Sequence, residues 1–290
     1  MTLFDAPVTD GIVNVASVPK RSPFRYPGGK TWLIPRIRRW LENFERSPSI
    51  LIEPFAGGAI VGLTAAFEHL AERVVLVELD AEVAAVWKTI LEGDSEWLAH
   101  RILSFDLTED NIRKELAEKE SSVKRNAFRT IIKNRTCHGG ILAPGSGFIK
   151  VGENGKGIRS RWYPETLARR IRLIAQIRDR ISIIEGDGIS VIQKYARNKH
   201  AVFFIDPPYT VAGKKAGARL YTHHLLDHEK LFAVTKRIAG DFLMTYDNND
   251  EIVSLAKKFG FQTKTVAMKN THHAHMRELL VGRDLSWVRD

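Results

Sequence analysis

The sequence contains a single cysteine, Cys137, so no internal disulfide framework can form. Cys137 has no evident base partner and is assigned no chemistry. Long apolar runs are also missing. A stretch such as "AVFFI" at 201–205 falls far short of the roughly 20 residues that span a bilayer. The first residues lack the basic start, apolar middle and small-residue cleavage site of an export signal. There are no internal repeats and no low-complexity tracts. These absences set the expectation of a globular, cytoplasmic protein with no membrane partner, large enough for a sizeable core.

Acid is scarce in one part of the chain. Residues 121–172 carry twelve Lys/Arg against two acids, Glu153 and Glu165, and so account for the whole formal net charge of +10. A solvated basic face is one reading. The segregation of charge points instead to a phosphate-binding surface for nucleic acid.

The hydrophobic pattern sets the organisation. Residues 1–22 read as an extended tail. "TWLIPRIRRWLENF" (31–44) has helical spacing, with Pro35 tolerable only in the first turn. "SILIEPFAGGAIVGLTAAFEHL" (49–70) and "RVVLVELDAEVAAVWKTIL" (73–91) each read as strand, turn and helix, which predicts a parallel sheet with right-handed crossovers. From 94 to 173 the rhythm breaks into helical stretches (108–120, 122–135, 164–178) around a Gly-rich piece, 137–160, expected as a hairpin or long loop. Strand and helix alternate again from "ISIIEGDGISVIQKY" (181–195) through "AVFFIDPPY" (201–209), "DFLMTY" (241–246) and a helix over 249–259. "FQTKTVAM" and "MRELLVG" close the chain. The fold class is α/β: a doubly wound, mostly parallel sheet interrupted by one basic insertion.

Open α/β sheets bind ligands at the carboxyl ends of their strands, and four polar signals end apolar runs here: "EPFAGG", "VELD", "EGDG" and "DPPY". Gly57 and Gly58 permit a tight turn and close approach of a ligand. Glu78 stands where an acid accepts the hydroxyls of a ribose. A nucleoside-containing cofactor follows, although the strict G-x-G-x-x-G of dinucleotide enzymes is absent. In "DPPY" both prolines fix φ and offer no N–H, so the loop presents two acceptors, the Asp206 carboxylate and the Pro207 carbonyl. Two converging acceptors suit a planar amino group, and Tyr209 supplies a face for a base to stack on. The histidines of "THHAH" (271–275) and "YTHHLLDH" (221–228) lack a convincing metal-ligand set and read as loops.

"FRYPGGK" (24–30), "EPFAGG" (53–58), "VELD" (77–80), "EGDG" (185–188) and "DPPY" (206–209) occur in an order that resembles the Dam-like DNA adenine methyltransferases, over about 22–283. The resemblance implies a Rossmann-like, S-adenosylmethionine-dependent fold of bacterial or phage origin. It also implies adenine N6 methylation in double-stranded DNA by a monomer or weak dimer, with S-adenosylhomocysteine as product and no metal. It places the catalytic halves at 23–93 and 174–290 and a mainly helical target-recognition insertion, with a Gly-rich hairpin, at 94–173. It implies that Tyr26, Lys30, Phe55, Gly57, Gly58, Glu78, Asp187 and Asp206 meet the cofactor, with Lys30 on the methionine carboxylate, and that Asp206, Pro207, Pro208 and Tyr209 clamp the amino group. Asp187 serves equally as a helix N-cap.

Adenine within a duplex must be flipped out. Asn134, Arg135, His138, Lys150, Lys156, Arg159 and Arg161 are the DNA-binding candidates, with His138 or Ile141 filling the vacated gap. Ala59 and Ile60 depart from the small residues usual after the glycine turn, and Glu78 replaces a more usual Asp. Ala143 stands where GATC-specific members carry a guanine-reading Arg, so GATC is not expected. The same chemistry on RNA or on a cytosine amino group, or a non-catalytic DNA-binding module, remains open on the sequence.

Overall fold

The computed structural model describes residues 17–26, 28–118, 122–142, 145–208, 226–269 and 275–288. The strands are β1 (Ile50–Glu53), β2 (Arg73–Glu78), β3 (Ile181–Glu185), β4 (Ala201–Ile205), β5 (Asp241–Asp247), β6 (Gln262–Lys269) and β7 (His275–Gly282). They form one seven-stranded sheet in the order β3-β2-β1-β4-β5-β7-β6. β1 to β5 are parallel, and β7 runs antiparallel between β5 and β6. The α/β, doubly wound, mostly parallel sheet is therefore as expected. Strand order reverses between β1 and β4, and the crevice outside their carboxyl ends is where such a sheet takes a ligand.

The period of two along each strand sorts side chains into two cores. Leu51, Leu76, Phe204 and Leu280 face one side, under α1 (Ile34–Glu42), α2 (Ile60–Phe67) and α3 (Ala81–Leu91). Ile52, Val77, Phe203, Ile205 and Val281 face the other, under α8 (Gly188–Tyr195), α9 (His228–Thr235) and α10 (Asp250–Phe259). Helix starts follow their caps: Asp80 accepts from the Glu82 and Val83 amides, and Asn249 from the Glu251 amide. Pro35 sits in the first turn of α1, where its missing N–H costs nothing.

Residues 94–173 supply α4 (Ser95–Ser104), α5 (Glu109–Ala117), α6 (Val123–Thr136) and α7 (Pro164–Gln176). These helices do not build a core of their own. Leu98, Ile102, Phe128, Ile131 and Ile171 belong to the same buried cluster as Trp87 and the sheet residues beneath it. The Gly-rich stretch is a loop, not a hairpin. Its only pairing among the described residues is an isolated antiparallel bridge between Cys137 and Phe148, followed by short 3-10 turns at Glu153–Gly155 and Gly157–Arg161. So many glycines give a ladder too little side chain to pack. Of the expected tail, residues 17–22 are held down: Val18 is buried, and Arg21 pairs with Glu68 at 2.5 Å.

The shared core has a measurable consequence. Phe128→Ala opens a cavity where α6 meets the sheet-covering helices, and it is expected to lower stability by about 3–5 kcal/mol. Denaturant unfolding followed by far-UV circular dichroism and tryptophan fluorescence should show one shifted transition. A separate early transition would mean that 94–173 folds on its own.

Candidate active site

The carboxyl rim of the sheet collects acids from six strands. Glu53, Glu78 and Glu185 end β1, β2 and β3, Asp206 follows β4, and Asp247 ends β5. β7 runs the other way, so its Glu278 arrives at the same rim, paired in register with Asp247. One buried cation stands among them. Lys30 is 2 % exposed, with its ammonium 2.9 Å from Asp206 Oδ1, 3.7 Å from Glu278 Oε1 and donating to the Gly28 carbonyl at 2.9 Å. Burial alone would lower its pKa, but Asp206, Glu278 and Asp247 outweigh burial and raise it, so the ammonium stays charged. Lys30 is the residue expected at the methionine carboxylate; in this structure its ammonium lies beside Asp206 and Glu278.

Asp206 is aimed from three directions. Pro207 keeps its backbone extended. The parallel register that pairs Ile205 with Met244 brings the next residues, Asp206 and Thr245, together, and the Thr245 hydroxyl donates to Asp206 Oδ1 at 2.7 Å. Lys30 takes the same oxygen, which leaves Oδ2 outside these two contacts. Tyr246 lies buried below, its hydroxyl 3.1 Å from His228 Nδ1. Tyr209 lies outside the described residues, as do Ala143 and most of both histidine runs.

The glycine turn is built around two other acids. Glu78 Oε2 accepts the Gly57 amide at 2.8 Å and Oε1 the Asp80 amide at 2.9 Å, while Trp87 donates to the Gly57 carbonyl at 3.0 Å. Gly57 has φ +47°, and a Cβ there would meet the Tyr26 ring at 2.5 Å; at Gly58 it would meet Tyr26 Cβ at 2.9 Å. Tyr26 thus covers the turn, and both glycines are needed for its packing. Glu53 accepts the Gly62 amide at 2.8 Å. Burial pushes Glu53 up to about 8 and Glu78 up to about 7, each partly offset by its amide donors. Phe55 packs half-buried on the second core. Asp187 caps α8, accepting from the Ser190 amide at 2.8 Å and its hydroxyl at 2.6 Å. Ala59 holds a left-handed conformation with φ +50°, the geometry for which a glycine is ordinarily chosen.

The DNA-binding candidates divide. Asn134 and Arg135 are buried and hold the strap before Lys30. Asn134 accepts from the Arg25 amide and donates to the Arg25 and Gly140 carbonyls, each at 2.8 Å, and Arg135 donates to the Pro23 carbonyl. Burial, together with the nearby Arg170, Arg25 and Arg161, pushes Arg135 down to about 9. Both residues point inward because α6 presents this face to 22–25, so neither forms an exposed DNA contact. His138, Lys150, Lys156 and Arg159 are exposed, and Arg161 pairs with Glu153. Ile141 is half-buried.

Sequence reasoning assigned no role to Glu53, Thr245, Tyr246, Asp247, His228 or Glu278. A charged residue inside the apolar run of "MRELLVG" was the available signal for Glu278. Among the described residues, no group of three or more His, Cys, Asp or Glu is placed to hold a metal ion, and no helix is long and apolar enough to cross a membrane.

Buried acids gather at the switch point of this open, mostly parallel sheet, the place where such sheets take a ligand. The chain belongs to the D12 class N6 adenine-specific DNA methyltransferase family, whose model matches residues 26–271. It is a methyltransferase of that adenine-specific class. No curated protein matches the sequence. Similar solved structures include a candidate RNA methyltransferase from Pyrococcus horikoshii, 10 % identical with a TM-score of 0.39, covering 89 % of this chain and 84 % of that one. A methyltransferase from Geobacter sulfurreducens is 11 % identical with a TM-score of 0.38, covering 89 % and 80 %. Overlaps this low carry nothing about the site.

Glu53 offers a test of the buried rim. Its folded pKa of about 8 exceeds its ordinary 4.5. Between those values the folded chain keeps a proton that the unfolded chain gives up, so stability falls as pH rises from about 4.5 to about 8. Glu53→Gln, which still accepts from Gly62, is expected to flatten that fall and to be the more stable protein at pH 8. Denaturant midpoints at pH 5 and pH 8 measure it; an equal fall in both proteins rejects the assignment.

Proposed function

We propose that the chain transfers a methyl group from S-adenosylmethionine to the N6 amino group of adenine at a specific site in double-stranded DNA, with the base swung out of the helix. The observation that carries this reading is the position of Asp206-Pro207-Pro208 at the switch point, with one carboxylate oxygen fixed by Lys30 and Thr245. The donor set fits the cofactor. Glu78 is a strand-end carboxylate whose oxygens keep lone pairs for ribose hydroxyls, and the excess of carboxyl over ammonium suits a cation. Bound S-adenosylmethionine would supply a methyl group on a good leaving group and depart as S-adenosylhomocysteine.

The chain's own residues do the rest. Asp206 and the Pro207 carbonyl accept the two amino N–H groups, which raises electron density on the nitrogen and holds its lone pair in line. The prolines keep this clamp stiff, and Tyr209 stacks the base. Glu78 and the Gly57-Gly58 turn under Tyr26 hold the nucleoside end. Residues 94–173 form the DNA-reading part, between catalytic portions 23–93 and 174–290. Lys150, Lys156, Arg159 and Arg161 take phosphates, while His138 and Ile141 border the gap left by the base. Val151 and Tyr163, both exposed, add apolar surface to that basic loop.

Two outcomes test this. Expressed in a methylation-deficient bacterium, the chain should leave N6-methyladenine at one recurrent motif. Asp206→Ala, folded by circular dichroism, should leave none; methylation retained by that variant would sink the clamp. Neutralising Lys150, Lys156 and Arg159 together should reduce the slope of log affinity for duplex DNA against log salt by about 2–3. An unchanged slope, or RNA that outcompetes the duplex, would reject the basic loop as the DNA footprint.

A further inference from the structure

Glu278 is a buried acid that the proposed reaction leaves without a task. Its neighbours in β7, Leu279, Leu280 and Val281, are all buried and apolar. Its Oε1 lies 3.7 Å from the Lys30 ammonium, and its Oε2 is buried with no hydrogen-bond partner among the described residues. A carboxylate left so incompletely paired is costly, and the cost falls if it carries a proton or gains a second cation. The charged groups that face it are Lys30 from the loop before α1, Asp206 from the end of β4 and Asp247 from β5. Its register partner in β6 is Val266, buried and apolar, which offers no charge. Among the described residues, the Lys30 ammonium lies within 4 Å of both Asp206 and Glu278. Lys30 is closer to Asp206 than to Glu278, so of these two carboxyls Glu278 is the less compensated.

We propose that Glu278 is a proton store for the cofactor site, neutral when the site lacks a sulfonium and ionised when a sulfonium occupies it. The inference rests on the methyltransferase reading above. Methyl transfer breaks a carbon–sulfur bond and leaves its electron pair on sulfur. The amino nitrogen's lone pair forms the new nitrogen–carbon bond, and one amino proton has to leave. The site loses the sulfonium's positive charge in the same event. If the departing proton passes to Asp206, and Lys30 accepts it while handing one of its own to Glu278, the site's net charge is conserved. Asp206 and Lys30 end as they began. Burial pushes the Glu278 carboxyl up to about 7, with Lys30 opposing and Asp206 and Asp247 adding to the rise, so both charge states lie within reach near neutral pH. A cation in the site favours the ionised form and a neutral thioether does not. The charged donor and the spent product are therefore distinguished by pH as well as by shape.

The test is calorimetric and needs no turnover. The full chain is titrated with S-adenosylmethionine and, separately, with S-adenosylhomocysteine, in buffers of different ionisation heat. At pH 7 the sulfonium should release a measurable fraction of a proton more than the thioether. The ratio of the two affinities should move toward the sulfonium by about fivefold between pH 6 and pH 8, the change expected when a carboxyl near 7 is lowered by about one pKa unit. Glu278→Gln should abolish both effects. Equal proton release by the two ligands in the wild type overturns the proposal. So does a proton difference that survives in Glu278→Gln but vanishes in Glu53→Gln, which would make Glu53 the store. Should Glu278→Gln fail to fold, an affinity ratio in the wild type that stays flat from pH 6 to pH 8 is enough to overturn it. Two ligands that bind with no proton difference sink the store alone, whereas failure to bind either ligand sinks the methyltransferase reading beneath it.

Discussion

The buried ammonium of Lys30 is the interaction on which the rest of the site depends. An ammonium this deeply buried is tolerable only where a carboxylate compensates its lost hydration, and Asp206, just past β4, does so at 2.9 Å, with the Glu278 carboxyl of β7 3.7 Å away. The same contact fixes the strap that leads to Lys30. With that residue anchored, Tyr26 lies over Gly57 and Gly58, and Arg25 reaches back to Asn134 on α6. Remove the ammonium and three things lose their reference point together: the amino clamp, the cover of the glycine turn, and the attachment of the strap to the basic helices.

Charge is segregated along the chain, and the fold keeps it segregated. Acids gather at the sheet rim because strand ends converge there, and burial drives Glu53, Glu78 and Glu278 toward neutrality. The bases gather on the helices and loop of 121–172. Part of that basic excess is internally matched: Lys133 pairs with Glu82 at 2.6 Å, Lys124 with Asp94 at 3.1 Å and Arg172 with Glu96 at 2.5 Å. Exposed pairs of this kind contribute little to stability. In the Gly-rich loop Lys150 and Lys156 are exposed, while Arg159 lies 3.9 Å from Asp106.

Local chemistry was legible in the sequence and long-range pairing was not. The strand-turn-helix units showed because apolar periodicity switches from 2 to 3.6 at each turn. The strand-end acids Glu78 and Asp206 showed because each closes an apolar run. Lys30 was visible as a site residue, but its contacts with residues 206 and 278 were not, since they are set by sheet order and not by spacing. Glu278 was missed for the same reason: only an antiparallel β7 carries its beginning to the rim. Asn134 and Arg135 looked like DNA contacts because the Asn-Arg start of "NRTCHGG" resembles the family's recognition segment. Here one face of α6 is covered by the strap. Asp187 allowed two readings from the sequence, and its bonds to Ser190 support the cap.

The shared core bears on how recognition and chemistry are coupled. If 94–173 had a core of its own, the reading loop could swing relative to the amino clamp. Instead Phe128 and Ile131 of α6 pack into the cluster that also holds Trp87 of α3, and Trp87 donates to the Gly57 carbonyl in the glycine turn. A second tie runs through the strap. From Arg25, gripped by Asn134 beside the Gly140 carbonyl, to Lys30 at the clamp is five residues, a reach of at most about 17–18 Å even if fully extended. The loop that carries His138 and Gly140 is thus held at a bounded distance from Asp206 by two routes that share no residue, one through the apolar core and one through hydrogen bonds. On the proposed reading, a target base at Asp206 would meet a Gly-rich loop already tied to the sheet by both routes, so positioning would come from the fold and not from the loop alone.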